Sequence, residues 1–274
     1  MELVDGPRPG DVKERTFLTC GMHVHVAVAD RHEGIAVLDR VRPWLAVLSA
    51  LASNSPYWQG RDTGYASYRS IVLGRLPTVG PSPVWGSISV YDRVIREVIN
   101  TGAAFDAGMV YYDARLSPRH PTIEIRVPDV VPDVADSVLL AALARGLVDV
   151  AVRQWHRRVR PLDLSQQTLR AAAWRASRHG ITEDLYDPLA DGLAPAWRVV
   201  ERLREHAGPA LEANGDATLV ERALGRLRAR GTGAEQQRAW ATTGGPRRRT
   251  DQAGRAAGQR APTRNGVPAG SVLV

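Results

Sequence analysis

A chain of 274 residues with 44% hydrophobic content is long enough to bury a substantial core, as one large domain or two small ones. The single Cys20 excludes an internal disulfide, no apolar run of about 18 residues is present to span a bilayer, and Met1–Glu14 lacks the basic-then-apolar order of a secretory leader, so a reducing cytoplasm is the expected home. The net charge of +7 does not point to nucleic acid: from Gly244 onward six arginines stand against one acid, Asp251, which leaves about +2 for the body.

In chain order, Phe17–Val28 alternates, with Leu18, Cys20, Met22, Val24, Val26 and Val28 on one face and His23 and His25 on the other, which predicts a half-buried strand. Glu33–Ala52 carries Ile35, Leu38, Val41, Leu45 and Leu48 at helical spacing, with Pro43 as a kink. Ser53–Pro83, rich in Gly, Ser, Pro and Tyr, reads as a long functional loop. A helix over Tyr91–Asn100 stopped by Gly102 precedes two strands, Met109–Leu116 and Thr122–Val127, the second with Ile123, Ile125 and Val127 opposite Thr122, Glu124 and Arg126. Helices follow from Asp133 to about Arg158, over Ser165–His179, Pro195–His206 and Asp216–Arg230. Strands early and helices late predict an α+β fold. Residues 1–15 read as a leading segment, 16–242 as the folded domain, and 243–274 as a disordered arginine-rich tail.

The polar strand faces hold the chemistry. His23 and His25 stand about 7 Å apart, close enough to share one metal ion or phosphate, although such pairs are more often ordinary surface polarity. Glu124 and Arg126 repeat the spacing with one oxygen ligand and one fixed cation, and their bland reading is an ion pair on a solvated face. Side by side in one antiparallel sheet, the two faces would converge on a surface suited to a nucleoside triphosphate. Gly60 and Gly64 punctuate a loop carrying Arg61 and Arg69 and permit close backbone approach to a ligand. The chain carries neither a Walker pattern nor a G-x-S-x-G elbow.

Three blocks then carry a resemblance: Cys20-Gly-Met-His-Val-His-Val26; Ala50–Arg69, with Ser53-Asn-Ser-Pro-Tyr-Trp-Gln-Gly-Arg61 inside it; and Tyr111–Asp129, containing Tyr111-Tyr-Asp-Ala-Arg115 and Thr122-Ile-Glu-Ile-Arg126. Their order and spacing resemble the glutamate–cysteine ligase 2 family, and Trp174–Gly180 and Gly231–Arg238 look like two later signatures of it. The Gly-Met-His-x-His and Glu-x-Arg pieces are also similar to glutamine synthetases, whose catalytic sheet the family shares.

The resemblance implies a curved antiparallel sheet backed by helices, with ATP and Mg²⁺ or Mn²⁺ on its concave face. It implies an ATP-dependent carboxylate–amine ligase that joins glutamate to cysteine through an acyl phosphate. By position, His23 and Glu124 would be metal ligands. His25, Arg126 and Arg175 would contact the nucleotide, Arg61, Arg69 and Arg115 the substrate, and Arg126 and Arg115 the reacting groups. On this reading Glu124→Gln removes metal-dependent nucleotide binding and leaves the fold intact. The family's usual opening, roughly a hundred residues with a glutamate-rich strand, is expected to be missing, and Ala171–Ala173 stands where members carry an Asn. A relic that binds nucleotide or a partner chain without turnover is the competing reading. Small-molecule substrates are the implied partners, and a homodimer is the assembly favoured by base rate.

Overall fold

The computed structural model describes residues 19–243; the leading segment 1–15, the first residues of the expected first strand, and the arginine-rich tail from 244 onward lie outside the described residues. Strand β1 is Val24–Ala27. Asp30 then caps helix α1 (Arg31–Val41), its carboxylate accepting from the backbone N–H groups of His32 and Glu33 at 2.8 and 2.9 Å. Pro43 cannot donate to a helical ladder, and the chain passes through a 3₁₀ turn (Arg42–Trp44) before α2 (Leu45–Leu51). The expected kinked helix is thus two helices.

Residues 53–83 carry more structure than a loop. Strands β2 (Tyr57–Trp58) and β3 (Arg61–Asp62) form a hairpin whose two turn residues, Gln59 and Gly60, have φ of 50° and 77°. Helix α3 (Tyr68–Leu73) follows. Helix α4 (Ile88–Asn100) starts earlier than Tyr91 because Ser87 caps it, its hydroxyl accepting from Val90 N–H at 3.3 Å. Of the expected strand Met109–Leu116, the first residue closes a 3₁₀ turn (Ala107–Met109), Tyr112 makes an isolated bridge to Gly80, and β4 (Ala114–Leu116) is the part that joins the sheet. Strand β5 is Thr122–Ile125.

Helices α5 (Val134–His156) and α6 (Gln166–His179) come next. A hairpin of β6 (Asp184–Asp187) and β7 (Gly192–Pro195) was not foreseen, and neither was the last helix. Helices α7 (Ala196–Ala213), α8 (Ala217–Arg230) and α9 (Gly233–Thr242) complete the described chain, α7 running past His206 through Pro209.

The sheet that matters is three-stranded and antiparallel in the order β1-β5-β4. One face presents Val24, Ala114, Leu116, Ile123 and Ile125, all buried. That face packs on α1 and α5, α5 in turn packs on α7 and α8, and Leu139, Leu140, Leu143 and Leu147 of α5 are buried in the core so formed. Each such leucine contributes about 2 kcal/mol by leaving water, so the core clamps the sheet from one side only. The other side is left for polar residues. The architecture is α+β, with antiparallel sheet backed by helices.

Candidate active site

The strand register sorts the polar face into two rows. In one, Arg115 on β4 and His25 on β1 both stand opposite Glu124 on β5. In the other, one residue outside the paired stretch, Arg126 lies between His23 and Asp113, and its backbone N–H donates to the Asp113 carbonyl at 2.9 Å. The polar face therefore does bring the expected His23, His25, Glu124 and Arg126 together.

That face is not solvated at its centre. Glu124 is only 4% exposed and is ringed by basic side chains: Arg115 Nε donates to Oε2 at 2.8 Å, His23 Nδ1 lies 2.9 Å from Oε1, and Arg126 donates to the same oxygen. Burial by itself would raise this carboxyl, but the hydrogen bonds from His23 and Arg115 and the charge of Arg126 overcome it and hold Glu124 well below the usual carboxylate range. Arg115 Nη1 donates to the carbonyls of Ala107, Gly108 and Val110 at 2.8–3.2 Å. It holds Glu124 in place and lines neither of the two cavities beside this face.

Arg126 stacks its guanidinium over the Tyr111 ring, 5.3 Å from the centroid. Beside it opens a cavity of about 780 Å³, within the range of small-molecule sites. Its walls come from the residues before β1, from α2, α3 and the turn after it, from Tyr111–Asp113, and from α6. His23, Arg69 and Arg126, three of the residues singled out from the sequence, line it, and so do Arg75, Asp113, Arg170 and Trp174, which were given no site role there. Arg75 follows α3 and Arg170 sits on α6, so neither falls on a patterned strand face. Asp113 lies one residue before β4 and had no periodic signal of its own.

Arg69 is 7% exposed, and its guanidinium donates to the carbonyls of Val127 and Arg126 at 3.2 and 3.1 Å and faces Asp129 at 3.6 Å. Gly21 makes room for it: a side-chain carbon there would come within 2.1 Å of the guanidinium. The remaining expected residues stand apart from the cavity. Arg61 is exposed on the β2–β3 hairpin. Arg175 donates to the Asp184 carbonyl at 2.6 Å and ties α6 to the β6–β7 hairpin. His25 borders a separate groove of about 420 Å³ on the far side of His23. Its Nδ1 lies 3.1 Å from the Thr122 hydroxyl, and partial burial pushes its pKa below the ordinary value against the attraction of Glu124.

The metal expectation can be tested against the donor set. His23 and Glu124 offer two ligands, the carboxylate already shared with two guanidinium groups, whereas Mg²⁺ takes six oxygen ligands in an octahedron. Among the described residues no group of three or more His, Cys, Asp or Glu is placed to hold a metal ion. The described residues alone do not fit a metal centre. No helix among them is long and apolar enough to cross a membrane.

A basic cavity beside a strand face bearing His-x-His and Glu-x-Arg is the setting in which comparison with known proteins becomes informative. The family model described as Glutamate-cysteine ligase family 2 (GCS2) matches residues 8–258. The chain is 53% identical over 225 residues to the Frankia alni protein named "Putative glutamate--cysteine ligase 2-2", covering 82% of this chain and 59% of that protein. A Streptomyces coelicolor protein named "Putative glutamate--cysteine ligase 2" is 51% identical over 221 residues, covering 81% and 61%, and a Streptomyces avermitilis relative is 52% identical over 223 residues with the same coverage. The chain thus spans about three-fifths of the length of these relatives. The extent of the match and the level of identity establish that this chain belongs to glutamate-cysteine ligase family 2.

Proposed function

We propose that the protein is an ATP-dependent carboxylate–amine ligase of the glutamate–cysteine type, with its acidic substrate in the cavity beside Arg126. The observation that carries this reading is the charge of that cavity: Arg69, Arg75, Arg126 and Arg170 converge on it, with His23 at one edge. A guanidinium matches carboxylate and phosphate oxygens bidentately, so such a wall suits a carboxylate that becomes an acyl phosphate.

In the reaction, a carboxylate oxygen of glutamate attacks the γ-phosphorus of ATP and ADP leaves. The cysteine amine then attacks the acyl carbon, inorganic phosphate departs with the oxygen that had been the carboxylate's, and the amine gives up a proton. Arg126 is the residue assigned to the developing phosphoryl charge, because Glu124 and the Tyr111 ring fix its guanidinium at the cavity wall. His23 stands next to it. The exposed Trp174 at the cavity provides an aromatic surface for a nucleotide base. Mg²⁺ or Mn²⁺ enters this reading only as the ion that would be carried with the nucleotide, and no step is assigned to it.

The isotopic course of the reaction provides the test. With glutamate labelled by ¹⁸O in its γ-carboxyl, one label is expected in the released phosphate. Label released into water and absent from the phosphate would exclude an acyl phosphate. A second reading, nucleotide binding without turnover, is favoured by the two-donor metal set. It predicts ATP binding with no phosphate released.

A further inference from the structure

The acids of the interior differ in how they are used. Asp39 accepts from the backbone N–H groups of Trp85 and Gly86 at 2.7 and 2.9 Å. Asp129 accepts from Asn54 N–H and the Ser55 and Ser67 hydroxyls at 2.8–2.9 Å. Asp187 accepts from Leu189 N–H and from Arg202, and Glu124 is enclosed as described. Buried carboxylates in folded proteins are satisfied in this way. Asp113, half-buried in the cavity wall, is the exception: among the described residues its carboxyl accepts no hydrogen bond, and it is the only acid in the lining of the large cavity. Its backbone is held on both sides, its N–H donating to the Gly80 carbonyl and its carbonyl accepting from Arg126 N–H, both at 2.9 Å. A group so fixed and so unengaged is placed for a ligand.

The charges around it state which ligand. Arg69, Arg75, Arg126 and Arg170 offer cations for two carboxylates, and one anion stands among them. A dicarboxylic α-amino acid has the complementary set, two carboxylates and one ammonium. We propose that Asp113 is the anchor for the α-ammonium group of the acidic substrate, so that the cavity selects an amino acid over a simple dicarboxylate. This rests on the reading of the cavity as the carboxylate site and adds the residue that makes it specific. The free carboxyl is pushed up to about 7 by burial, against the pull of Arg170 and Arg69. An arriving ammonium ion offsets that cost, which links recognition to ionisation.

The test compares glutamate with glutarate, which lacks only the amino group, by titration calorimetry at pH 8. The protein is expected to bind glutamate at least about tenfold more tightly, a charge-assisted hydrogen bond being worth about 1.5–3 kcal/mol. Asp113→Asn should lose that preference while still binding glutarate, which also shows that the variant is folded. A variant that keeps the preference overturns the assignment and leaves the carboxylate site standing. Failure of the protein to bind either dicarboxylate overturns both.

A second measurement needs no variant. Lowering the pH to 5.5 should abolish the preference as Asp113 gains its proton. The other groups lining this cavity are Arg69 and Arg75 from α3 and its following turn, Arg126 from the end of β5, Arg170 from α6, His23 and Cys20 before β1, and Tyr111 and Tyr112 beside Asp113. His23 and the arginines act on the carboxylates common to both ligands, so the ratio of the two affinities isolates the ammonium. A preference unchanged at pH 5.5 would contradict the proposal.

Discussion

Glu124 is where residue type and surroundings give different expectations. From the sequence it is an oxygen on a solvated strand face, and replacing it should affect a ligand alone. In the fold it neutralises Arg115 and Arg126, whose side chains are 10% and 16% exposed. Removing one member of a buried ionic cluster leaves uncompensated charge, so Glu124→Gln is expected to cost about 3 kcal/mol of stability, read as a lowered midpoint in urea. An unchanged midpoint would return Glu124 to a purely ligand-facing role. Asp113 makes the opposite linkage. Its carboxyl in the folded chain, about 7, lies above the 3.8 of the unfolded one, so the native state keeps the proton longer. Its contribution to stability is present in acid and is lost as pH rises from about 4 through 7. Thermal unfolding of Asp113→Asn beside the parent should therefore show the variant gaining on the parent between pH 5 and pH 8. A constant difference in Tm would show that this carboxyl is already ionised throughout.

The elements explain why the quoted sequence blocks occur together. Asp129 closes the third block and receives hydrogen bonds from Asn54, Ser55 and Ser67 of the second. Ala66 and Ser67 N–H donate to the Ser177 carbonyl of the segment Trp174–Gly180 at 2.9 Å. Helix α9 seats its first turn on the same loop: Ala234 N–H donates to the Ser53 carbonyl at 3.0 Å, Gln237 donates to Asn54 at 2.8 and 2.6 Å, and Arg238 pairs with Asp62 through two contacts of 2.9 Å. Much of the later signature is scaffolding for one loop. Gly233 is the tightest point, since a side-chain carbon there would lie 2.0 Å from the Asn54 carboxamide oxygen and 3.0 Å from its Cβ. Gly233→Ala is expected to lose about 1–3 kcal/mol and to loosen the Ser53–Arg69 segment, which limited proteolysis would detect. Cleavage and stability equal to the parent's would mean that Asn54 is free to move aside.

The alternating strands and the periodic helices were legible because burial on one face imposes a period, and the core confirms it at Val24, Ile123 and Ile125 on the sheet and at Leu38 and Leu48 on the helices. The β2–β3 and β6–β7 hairpins were not legible, since pairs of two and four residues carry almost no periodicity. Helix α9 was hidden for a related reason: its buried residues are only Gly233 and Ala234, so no apolar stripe marks it. The candidate site was half legible. His23, Glu124 and Arg126 sit on a patterned face, whereas Asp113, Arg75 and Arg170 reach the cavity from segments that only the tertiary arrangement brings near.

For the molecule as a whole, the central claim is that glutamate is activated at the cavity wall held by Arg126. The measurement that tests it most directly is ADP release from ATP with Mg²⁺, in the presence and absence of glutamate and cysteine, for the protein and for Arg126→Lys. The account predicts release that requires glutamate, is completed by cysteine to γ-glutamylcysteine, and falls about 100-fold in the variant. Release indifferent to glutamate or to Arg126, or no release by a chain that still binds ATP, would contradict it.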